Sequence, residues 1–369
     1  MAKLRVLQFG RFFPPAKGGI ETVIQTITNG LVRQGFTCDV LCSNTRNEFI
    51  EENLNGSRII RTKSFGLLFS VSLTPQFISK LREIWRSYDI IHLHHPDPMA
   101  ALALFLCRPK SKIVVHWHSD VVKQKIGLLL FSPLQKWILR RADLIIATSR
   151  KYADESFHLK PYLQKTTIIP IGIDGLARGE REDYPKKDGK FKIFAVGRFV
   201  YYKGFENLIS SAEFLDENFI ISIGGAGPLR QSYEKLIAQK NLKKKVKLIG
   251  KLSDEELIEQ YKSCDVFCLP SIAKSEAFGI VMVEAMSLGK PVVSTRIPGS
   301  GTDWVNLNGI TGLTVKPDSP EELAESFLKL KEDENLRFKY GRNARDRFKQ
   351  EFTSDVMVQR ILKSYYKVL

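Results

Sequence analysis

Two carboxylates, Glu276 and Glu284, stand eight positions apart in an apolar segment. The first precedes a predicted helix and the second lies about a turn and a half inside it. Helix-start N–H groups at Gly279–Val281 can bind an anion, and carboxylates accept hydrogen bonds from sugar and ribose hydroxyls. The segment therefore suits a sugar nucleotide. The alternative is an ordinary amphipathic helix, in which a Glu beside Val283 and Ala285 is unusual because carboxylates are rarely buried without a partner.

An arginine and a lysine share the loop that follows another predicted strand. Gly197-Arg198 ends the strand and Lys203-Gly204 begins a helix. Next to a helix N-terminus, the two cations could neutralise a diphosphate whose negative charge grows as it leaves. Their place at the carboxyl end of a strand favours this function over two solvated cations, the commoner fate of such a pair. The chain has no Asp-x-Asp that could hold a diphosphate-bound metal.

Two glycine-rich turns follow further predicted strands. Gly18-Gly19 opens an amphipathic helix, and its free N–H groups could meet a phosphate or a sugar, although glycine pairs are also common in plain turns. Ile223–Pro228 contains Gly-x-Gly, but Arg230 stands where a dinucleotide-binding fingerprint needs its third glycine. This segment is therefore predicted to be a tight turn, and the sequence loses its main support for a dehydrogenase function.

Histidines form a further group, since five of the six lie in His92-x-His94-His95 and His116-x-His118. Strand alternation puts His92 with His94, and His116 with His118, on shared faces. A zinc site between adjacent strands is conceivable, but no nearby cysteine or carboxylate completes a ligand set. We therefore expect no metal at these residues.

The elements that must position these residues alternate along the whole chain. Short β-rich runs alternate with helix-length amphipathic segments, which predicts α/β domains with parallel sheets. We predict an N-terminal domain over residues 1–178, a C-terminal domain over 179–352, a polar linker over 174–190, and a C-terminal helix over 353–369 that can pack back on the first domain. The predicted strands are Leu4–Phe9, Thr37–Cys42, Asp89–His94, Lys112–Val115, Leu144–Ala147, Thr166–Ile169, Phe191–Val196, Phe219–Ile223, Val246–Ile249, Val266–Leu269, Pro291–Ser294 and Gly312–Val315.

Several helix ends are readable from spacing. Ser253 with Glu256, and Ser319 with Glu322, have the spacing of capping boxes. Pro320 stands at the first-turn position that proline favours, and Gly289 fits the position just after a helix.

The charge of the chain points to an anionic partner. Its 56 Lys and Arg against 40 Asp and Glu give a net charge of +16, and residues 1–178 hold 25 of the basic but only 13 of the acidic residues. Arg58–Phe69 and Lys123–Arg141 mix cations with large apolar residues, which is typical of a membrane-surface helix. The alternative is an ordinary helix with its apolar face inward. The N-terminal half is thus predicted to meet an anionic surface.

No segment is predicted to span a membrane. The longest apolar run, Met99–Cys107, has 9 residues, against the ~20 needed to cross a bilayer. The cysteines are odd in number and lie in apolar segments, which indicates reduced core thiols in a cytosolic protein: Cys38, Cys42, Cys107, Cys264 and Cys268. We expect a soluble or peripheral protein.

In their order along the chain, these motifs resemble those of retaining glycosyltransferases of family 4. That resemblance implies the GT-B fold, an α/β fold in which two Rossmann-like domains face each other across a cleft. Ile169–Asp174 is similar to the Ile-Pro-Asn-Gly-Ile-Asp of the family's interdomain junction. Pro298–Asp303 departs from the family, in which many members have Gly-Gly followed shortly by Glu, and we assign it no role.

The resemblance also implies a role for each matching residue. The donor diphosphate would be held by Arg198 and Lys203, the transferred sugar by Glu276 and the Phe278-Gly279 backbone, and the ribose by Glu284. The predicted catalytic residues are His118, Arg198, Lys203 and Glu276, and the predicted donor-binding residues are Gly18, Gly19, Gly197, Phe278, Gly279, Ile280, Val281 and Glu284.

The predicted activity is that of a retaining, metal-independent hexosyltransferase with no cofactor. Trp117–Asp120 and Gly299–Gly309 look most like bacterial O-antigen mannosyltransferases that use GDP-mannose. The predicted acceptor is a lipid-linked glycan, met by a cytoplasmic protein held peripherally at the anionic inner face of the cytoplasmic membrane, with no nucleic-acid partner. The alternatives are a UDP-hexose or dTDP-rhamnose donor, a sugar-nucleotide 2-epimerase, and a basic nucleic-acid-binding protein.

Overall fold

The chain forms two compact units in a computed structural model, which describes residues 4–16, 18–68, 71–120, 125–176 and 189–369, the side chains of 125–130 excepted. One unit comprises Met1–Ile173 with Ser354–Leu369, and the other Asp174–Thr353. Each has its own largely parallel sheet, which confirms two Rossmann-like α/β domains. The predicted boundary at Arg178 and most of the predicted linker lie outside the described residues.

The first unit is built on an eight-stranded sheet and a two-stranded hairpin. Its strands are β1 (Arg5–Gly10), β2 (Thr37–Ser43), β3 (Ile50–Leu54), β4 (Ser57–Thr62), β5 (Leu67–Leu68), β6 (Val71–Ser72), β7 (Ile90–His95), β8 (Lys112–Trp117), β9 (Leu144–Ala147) and β10 (Thr166–Ile168). The sheet order is β3-β4-β2-β1-β7-β8-β9-β10, and β3 alone runs antiparallel to its neighbour. Strand order reverses between β1 and β7, where this kind of sheet places its ligands.

Helices connect the strands of this sheet. They are α1 (Gly19–Arg33), α2 (Gln76–Ile84), α3 (Pro98–Cys107), α4 (Lys125–Arg141) and α5 (Arg150–Glu155), with 3-10 turns at Trp85–Ser87 and Lys160–Lys165. In α1 the apolar residues recur with helical period, so Ile24, Ile27 and Leu31 are all fully buried on one face.

The second unit repeats this construction with six parallel strands. They are β11 (Phe191–Val196), β12 (Phe219–Gly224), β13 (Val246–Gly250), β14 (Val266–Leu269), β15 (Val292–Thr295) and β16 (Gly312–Val315). Their order is β13-β12-β11-β14-β15-β16, so the reversal lies between β11 and β14. The helices are α6 (Phe205–Ser211), α7 (Arg230–Gln239), α8 (Asp254–Ser263), α9 (Ile280–Ser287), α10 (Thr302–Val305), α11 (Pro320–Glu332) and α12 (Glu334–Glu351), with 3-10 turns at Tyr201–Lys203 and Ala212–Phe214.

The last helix, α13 (Ser354–Tyr366), belongs to the first unit. It packs on α1, where Val358 lies so close to Gly30 that a Cβ at this glycine would come within 2.4 Å of the valine side chain. Its Tyr365 is fully buried and reaches the central sheet. Of the described helices, none combines the length and the apolar composition needed to cross a bilayer.

Most predicted elements are observed, and the errors have clear causes. Every predicted strand overlaps an observed one, but β3 to β6 were not predicted. The basic and apolar segment from Arg58 was expected to form a surface helix, and over β4 that expectation is wrong. Ile59 and Ile60 are buried there, and the Arg61 guanidinium donates to the carbonyls of Phe13 and Pro14.

The helix ends divide in the same way. The capping box of Ser253 and Glu256 is confirmed, as are Pro320 in the first turn of α11 and the left-handed Gly289 after α9. The Ser319 box is wrong, because Glu322 accepts from the N–H of Lys316 instead.

The described side chains of α4 follow the simpler alternative. Ile138 and Leu139 are buried, whereas Lys136 and Arg140 are exposed, so this part is an ordinary amphipathic helix. Lys123, and the side chains of residues 125–130, lie outside the described residues.

Candidate functional site

In the second unit, a buried ion pair lies where strand order reverses. Lys203 follows β11 and Glu276 follows β14, and these strands are neighbours in the sheet. The Lys203 Nζ lies 2.5 Å from Glu276 Oε2, which also accepts a 3.0 Å hydrogen bond from the Ser271 hydroxyl. Both charged side chains are buried. Two residues 73 positions apart, both predicted as catalytic, are thus brought into direct contact.

Gly204 allows the two loops to come this close. It adopts a left-handed conformation with φ of 62°, and a Cβ there would lie 2.2 Å from the carbonyl oxygen of Pro270, which follows β14. Only glycine fits both the backbone and the space. The turn Tyr201–Lys203 ends directly before it, so Lys203 is held against the Glu276 loop.

The charge of Lys203 is maintained in this buried place. Burial favours the neutral amine, yet the adjacent Glu276 raises the pKa of Lys203 above its ordinary value. The ammonium has three N–H donors, and Glu276 takes one of them. The site therefore holds a fixed positive charge with donors left for an anionic group.

The predicted anion-binding helix start is also formed. Gly279 is the N-cap of α9 with φ of 83°, and a Cβ there would come within 2.7 Å of the Met282 side chain. Ile280 and Val281 form the half-buried first turn, in which backbone N–H groups lack partners within the helix. Phe278 is buried beside this start.

Glu284 lies one and a half turns into α9 and faces the same charge. Its Oε2 accepts a 2.6 Å hydrogen bond from the Tyr261 hydroxyl. Burial raises the pKa of Glu284, while this hydrogen bond and the charge of Lys203 oppose the rise. Glu284 is therefore a half-buried carboxyl within electrostatic reach of Lys203.

The other two predicted residues of this unit, Gly197 and Arg198, follow β11 directly. Gly197 lies against the Lys203 side chain, at the end of β11. Arg198 is exposed, and its charge acts on Tyr202. Arg198 is thus a second, solvated cation within electrostatic reach of Tyr202, the chain neighbour of Lys203.

In the first unit, Gly18 and Gly19 begin α1, the helix that follows β1. The Glu21 carboxylate is buried next to Gly18, with the Arg11 guanidinium 3.9 Å away. This helix start thus carries an acidic side chain of its own.

His118 follows β8 and belongs to a stack of histidine rings. The rings of His92, His94, His116 and His118 lie on one face of β7 and β8, with centroids 4.3 to 5.5 Å apart and nearly parallel planes. The predicted shared faces are confirmed. Burial lowers the pKa of His92 and of His118 to about 3, so the rings are neutral at physiological pH.

Nitrogen atoms of His92, His94 and His116 lie within 4.8 Å of one another, the spacing of a candidate metal group. A ring nitrogen binds a metal along its lone pair, which lies in the ring plane. Nearly parallel planes do not converge on one point, and His94 already uses both nitrogens in hydrogen bonds to Gln8 and His118. The geometry is that of an aromatic stack.

Sequence reasoning missed the polar residues that support these groups. Ser300 donates to the backbone carbonyl of Glu276, so the segment without an assigned role braces the site. Neither this contact nor that of Ser271 leaves a spacing signal, because side chains meet there only after folding. Gln8 did leave a signal in the sequence, because it is a polar residue inside the largely apolar strand β1.

Family models match both units. Residues 17–175 match "Glycosyltransferase Family 4" and residues 178–347 match "Glycosyl transferases group 1". The chain is 32% identical to O-antigen chain mannosyltransferase C of Escherichia coli, with 99% of each chain covered. It is 30% identical to the D-rhamnosyltransferase WbpZ of Pseudomonas aeruginosa, covering 95% of this chain and 93% of that one.

Solved structures share the fold at lower identity. Sucrose-phosphate synthase from Thermosynechococcus elongatus aligns with a TM-score of 0.78 at 20% identity, covering 99% of each chain. Anabaena Alr3699/HepE in complex with UDP aligns with a TM-score of 0.74 at 20% identity, covering 99% of this chain and all of that one. Both support the GT-B assignment of the two units.

Proposed function

The chain belongs to the glycosyltransferases that join a family 4 domain to a group 1 domain, and we propose that it transfers a hexose from a nucleotide sugar to a lipid-linked glycan in O-antigen synthesis. The observation that carries this proposal is the buried pair of Lys203 and Glu276, beside the start of α9. A fixed cation and a helix start suit a diphosphate, and a carboxylate suits sugar hydroxyls.

The proposed donor is GDP-mannose. The relative from Escherichia coli is named as an O-antigen mannosyltransferase and aligns with 99% of this chain, which supports a mannosyl donor. The relative from Pseudomonas aeruginosa, named as a D-rhamnosyltransferase, favours a rhamnosyl donor at nearly the same identity. A rhamnosyl donor is therefore the second candidate.

The proposed roles follow the charges. Lys203 and Arg198 stabilise the departing diphosphate, while Glu276 and the Phe278-Gly279 backbone hold the transferred sugar. The ribose is bound by Glu284. In the first unit the diphosphate meets Gly18-Gly19, and His118 contacts the donor sugar.

The proposed reaction retains the configuration of the sugar and uses no metal. The bond between the anomeric carbon and the diphosphate oxygen breaks, and the acceptor oxygen bonds to that carbon on the same face. The acceptor proton passes to the departing diphosphate oxygen. Catalysis then consists of positioning and charge stabilisation, which the two cations supply.

A donor panel tests this function. The purified chain is incubated with GDP-mannose, a UDP-hexose, dTDP-rhamnose and a GDP-linked D-rhamnose, with and without a polyprenyl-diphosphate glycan and with and without EDTA. Nucleotide release and product mass identify the donor, and NMR of the new linkage gives its configuration. Transfer from GDP-mannose that persists in EDTA with an α-linkage is expected. Unchanged donors throughout would refute the transferase, and conversion without acceptor would indicate an epimerase.

The proposed membrane contact lies on the β5–β6 hairpin. Phe65, Leu67 and Leu68 are 65%, 64% and 52% exposed, and the exposed Lys63 precedes them. Residues 69 and 70, between β5 and β6, lie outside the described residues. Large apolar side chains beside a cation suit the interface of an anionic bilayer. We therefore place the chain peripherally at the inner face of the cytoplasmic membrane.

Vesicle flotation tests this contact. Replacing Leu67 and Leu68 by Ser should weaken binding to phosphatidylglycerol vesicles about 100-fold or more, because two apolar side chains that enter the bilayer are each worth ~1.5 kcal/mol or more. Phe157→Ser is the matched control, since Phe157 is 79% exposed elsewhere in the same unit. Equal binding of all three proteins would contradict the hairpin as the contact.

A further inference from the structure

Three side chains form a hydrogen-bonded chain across the strand reversal of the first unit. His94 Nε2 lies 2.8 Å from Gln8 Oε1, and His94 Nδ1 lies 3.0 Å from His118 Nε2. The Gln8 amide nitrogen faces the sulfur of Cys38 at 3.7 Å. Gln8 is on β1, His94 on the neighbouring β7, and His118 just after β8, so the chain crosses three adjacent strands.

The direction of each hydrogen bond follows from this arrangement. A glutamine oxygen only accepts, so the proton between Gln8 and His94 lies on His94 Nε2. A neutral imidazole carries one proton, so His94 Nδ1 must accept from His118 Nε2–H. His118 then has no proton on Nδ1. Its ring is held in place as well, since it stacks on His116 at 4.3 Å between centroids.

We propose that Gln8 and His94 are positioning residues that hold His118 as its Nε2–H tautomer, so that Nδ1 is the acceptor for a hydroxyl of the donor sugar. Among the described residues, Nδ1 of His118 has no hydrogen-bond partner. With the other tautomer, Nδ1 would carry the proton, so it would donate a hydrogen bond to the hydroxyl oxygen and could not accept one from the hydroxyl. The use of Nδ1 toward sugar rests on the function proposed above, whereas the tautomer does not.

The same stack contains a matched control. His116 lies between His92 and His118, but both of its ring nitrogens are buried without a hydrogen-bond partner in the described structure. His116→Phe therefore removes an imidazole from the stack and leaves the hydrogen-bonded chain intact. Gln8→Met keeps the length of the side chain and removes its acceptor.

Nitrogen NMR of the ¹⁵N-histidine-labelled protein reads the tautomer directly. In the wild type we expect the His118 signals, identified by their loss in His118→Gln, to show a protonated Nε2 and an unprotonated Nδ1. Gln8→Met should mix the tautomers, and His116→Phe should leave them unchanged. A protonated Nδ1 in the wild type would overturn the proposal, as would an unchanged tautomer in Gln8→Met. Added Zn²⁺ that shifts the His94 nitrogens would also overturn it, since that lone pair would then be a metal ligand.

Kinetics separates this proposal from the proposed function. Gln8→Met should lower kcat/KM for the donor about two- to tenfold, the effect of one hydrogen bond, while His116→Phe stays near the wild-type value. Equal losses in both variants would mean that only stack packing matters. If no donor reacts but the tautomer is as expected, the transferase fails and the positioning of His118 stands. If a donor reacts but Nδ1 of His118 is protonated, the transferase stands and the positioning of His118 fails.

Discussion

The two units place different chemistry at the same point of the same kind of sheet. Where strand order reverses in the second unit, Lys203 and Glu276 are buried as opposite charges. At the reversal in the first unit, His94 and His118 are buried as neutral rings. Topology thus supplies the position of a site, and the side chains decide whether it acts through charge or through the direction of hydrogen bonds.

The difference also sets how each region can fail. A buried charge whose partner is removed loses the interaction that offsets its desolvation, so the second unit depends on keeping both members of the pair. A neutral ring in a stack has no such partner, so the first unit depends instead on staying unprotonated. Mutation should therefore affect the pair most, and acid the stack.

The largest effect is expected from Glu276→Ala. The change removes the proposed sugar contact and leaves the Lys203 charge buried alone, so turnover should fall by ~100-fold or more. Steady-state nucleotide release measures it, and circular dichroism shows whether the variant is folded. Glu259→Ala, at an exposed position of α8, is the control. Wild-type turnover in Glu276→Ala would contradict the assignment of Glu276 to the active site.

Replacing both members of the pair should separate stability from activity. Glu276→Leu alone should lower the free energy of unfolding by ~3 kcal/mol, because it leaves an uncompensated buried charge. Adding Lys203→Met should restore most of that loss without restoring turnover, since apolar side chains of similar volume tolerate the same burial. Urea denaturation measures the first effect. If the double variant is no more stable than the single one, the pair is not the buried unit described here.

Acid should distinguish the first unit from the second. The folded-state pKa of each stacked histidine lies below its unfolded value, so the unfolded chain binds more protons below about pH 6.5. The free energy of unfolding therefore decreases as the pH is lowered through that range. His116→Phe removes one such group and should reduce this slope by up to about 1.4 kcal/mol per pH unit.

Denaturation at several pH values between 7.5 and 5 measures that slope. Asp97 has the opposite sign, because burial raises its pKa to about 6, but it is present in both proteins and cancels in the comparison. Equal slopes in the wild type and His116→Phe would mean that His116 binds protons equally in the folded and unfolded states, so that folding does not lower its pKa.

The smallest effect is expected from Tyr261→Phe. It removes the hydrogen bond to Glu284, so the donor KM should rise about three- to tenfold with little change in kcat, because the proposed ribose contact is less well oriented. Donor saturation curves measure both constants. Tyr366→Phe, at a tyrosine that is exposed on α13, is the control. A decrease in kcat without a change in KM would contradict a binding role for Glu284 and would indicate that it acts in the chemical step.

Local patterns were sufficient to predict the α/β elements, the capping of α8 and the paired faces of the histidines. They failed at β4, where cations beside apolar residues resembled a surface helix. There Arg61 is satisfied by carbonyls almost 50 residues away, which no local pattern contains.

The sequence by itself determined which residues carry charge, which follow strands and which glycines allow tight turns, because these properties depend on residue type and near neighbours. Only the tertiary structure decided that Lys203 meets Glu276 and that Gln8 and His94 meet His118. The reason is physical: parallel strands are joined through crossovers, so residues at neighbouring strand ends are far apart in sequence. Their distance, burial and hydrogen-bond direction exist only once the sheet has formed.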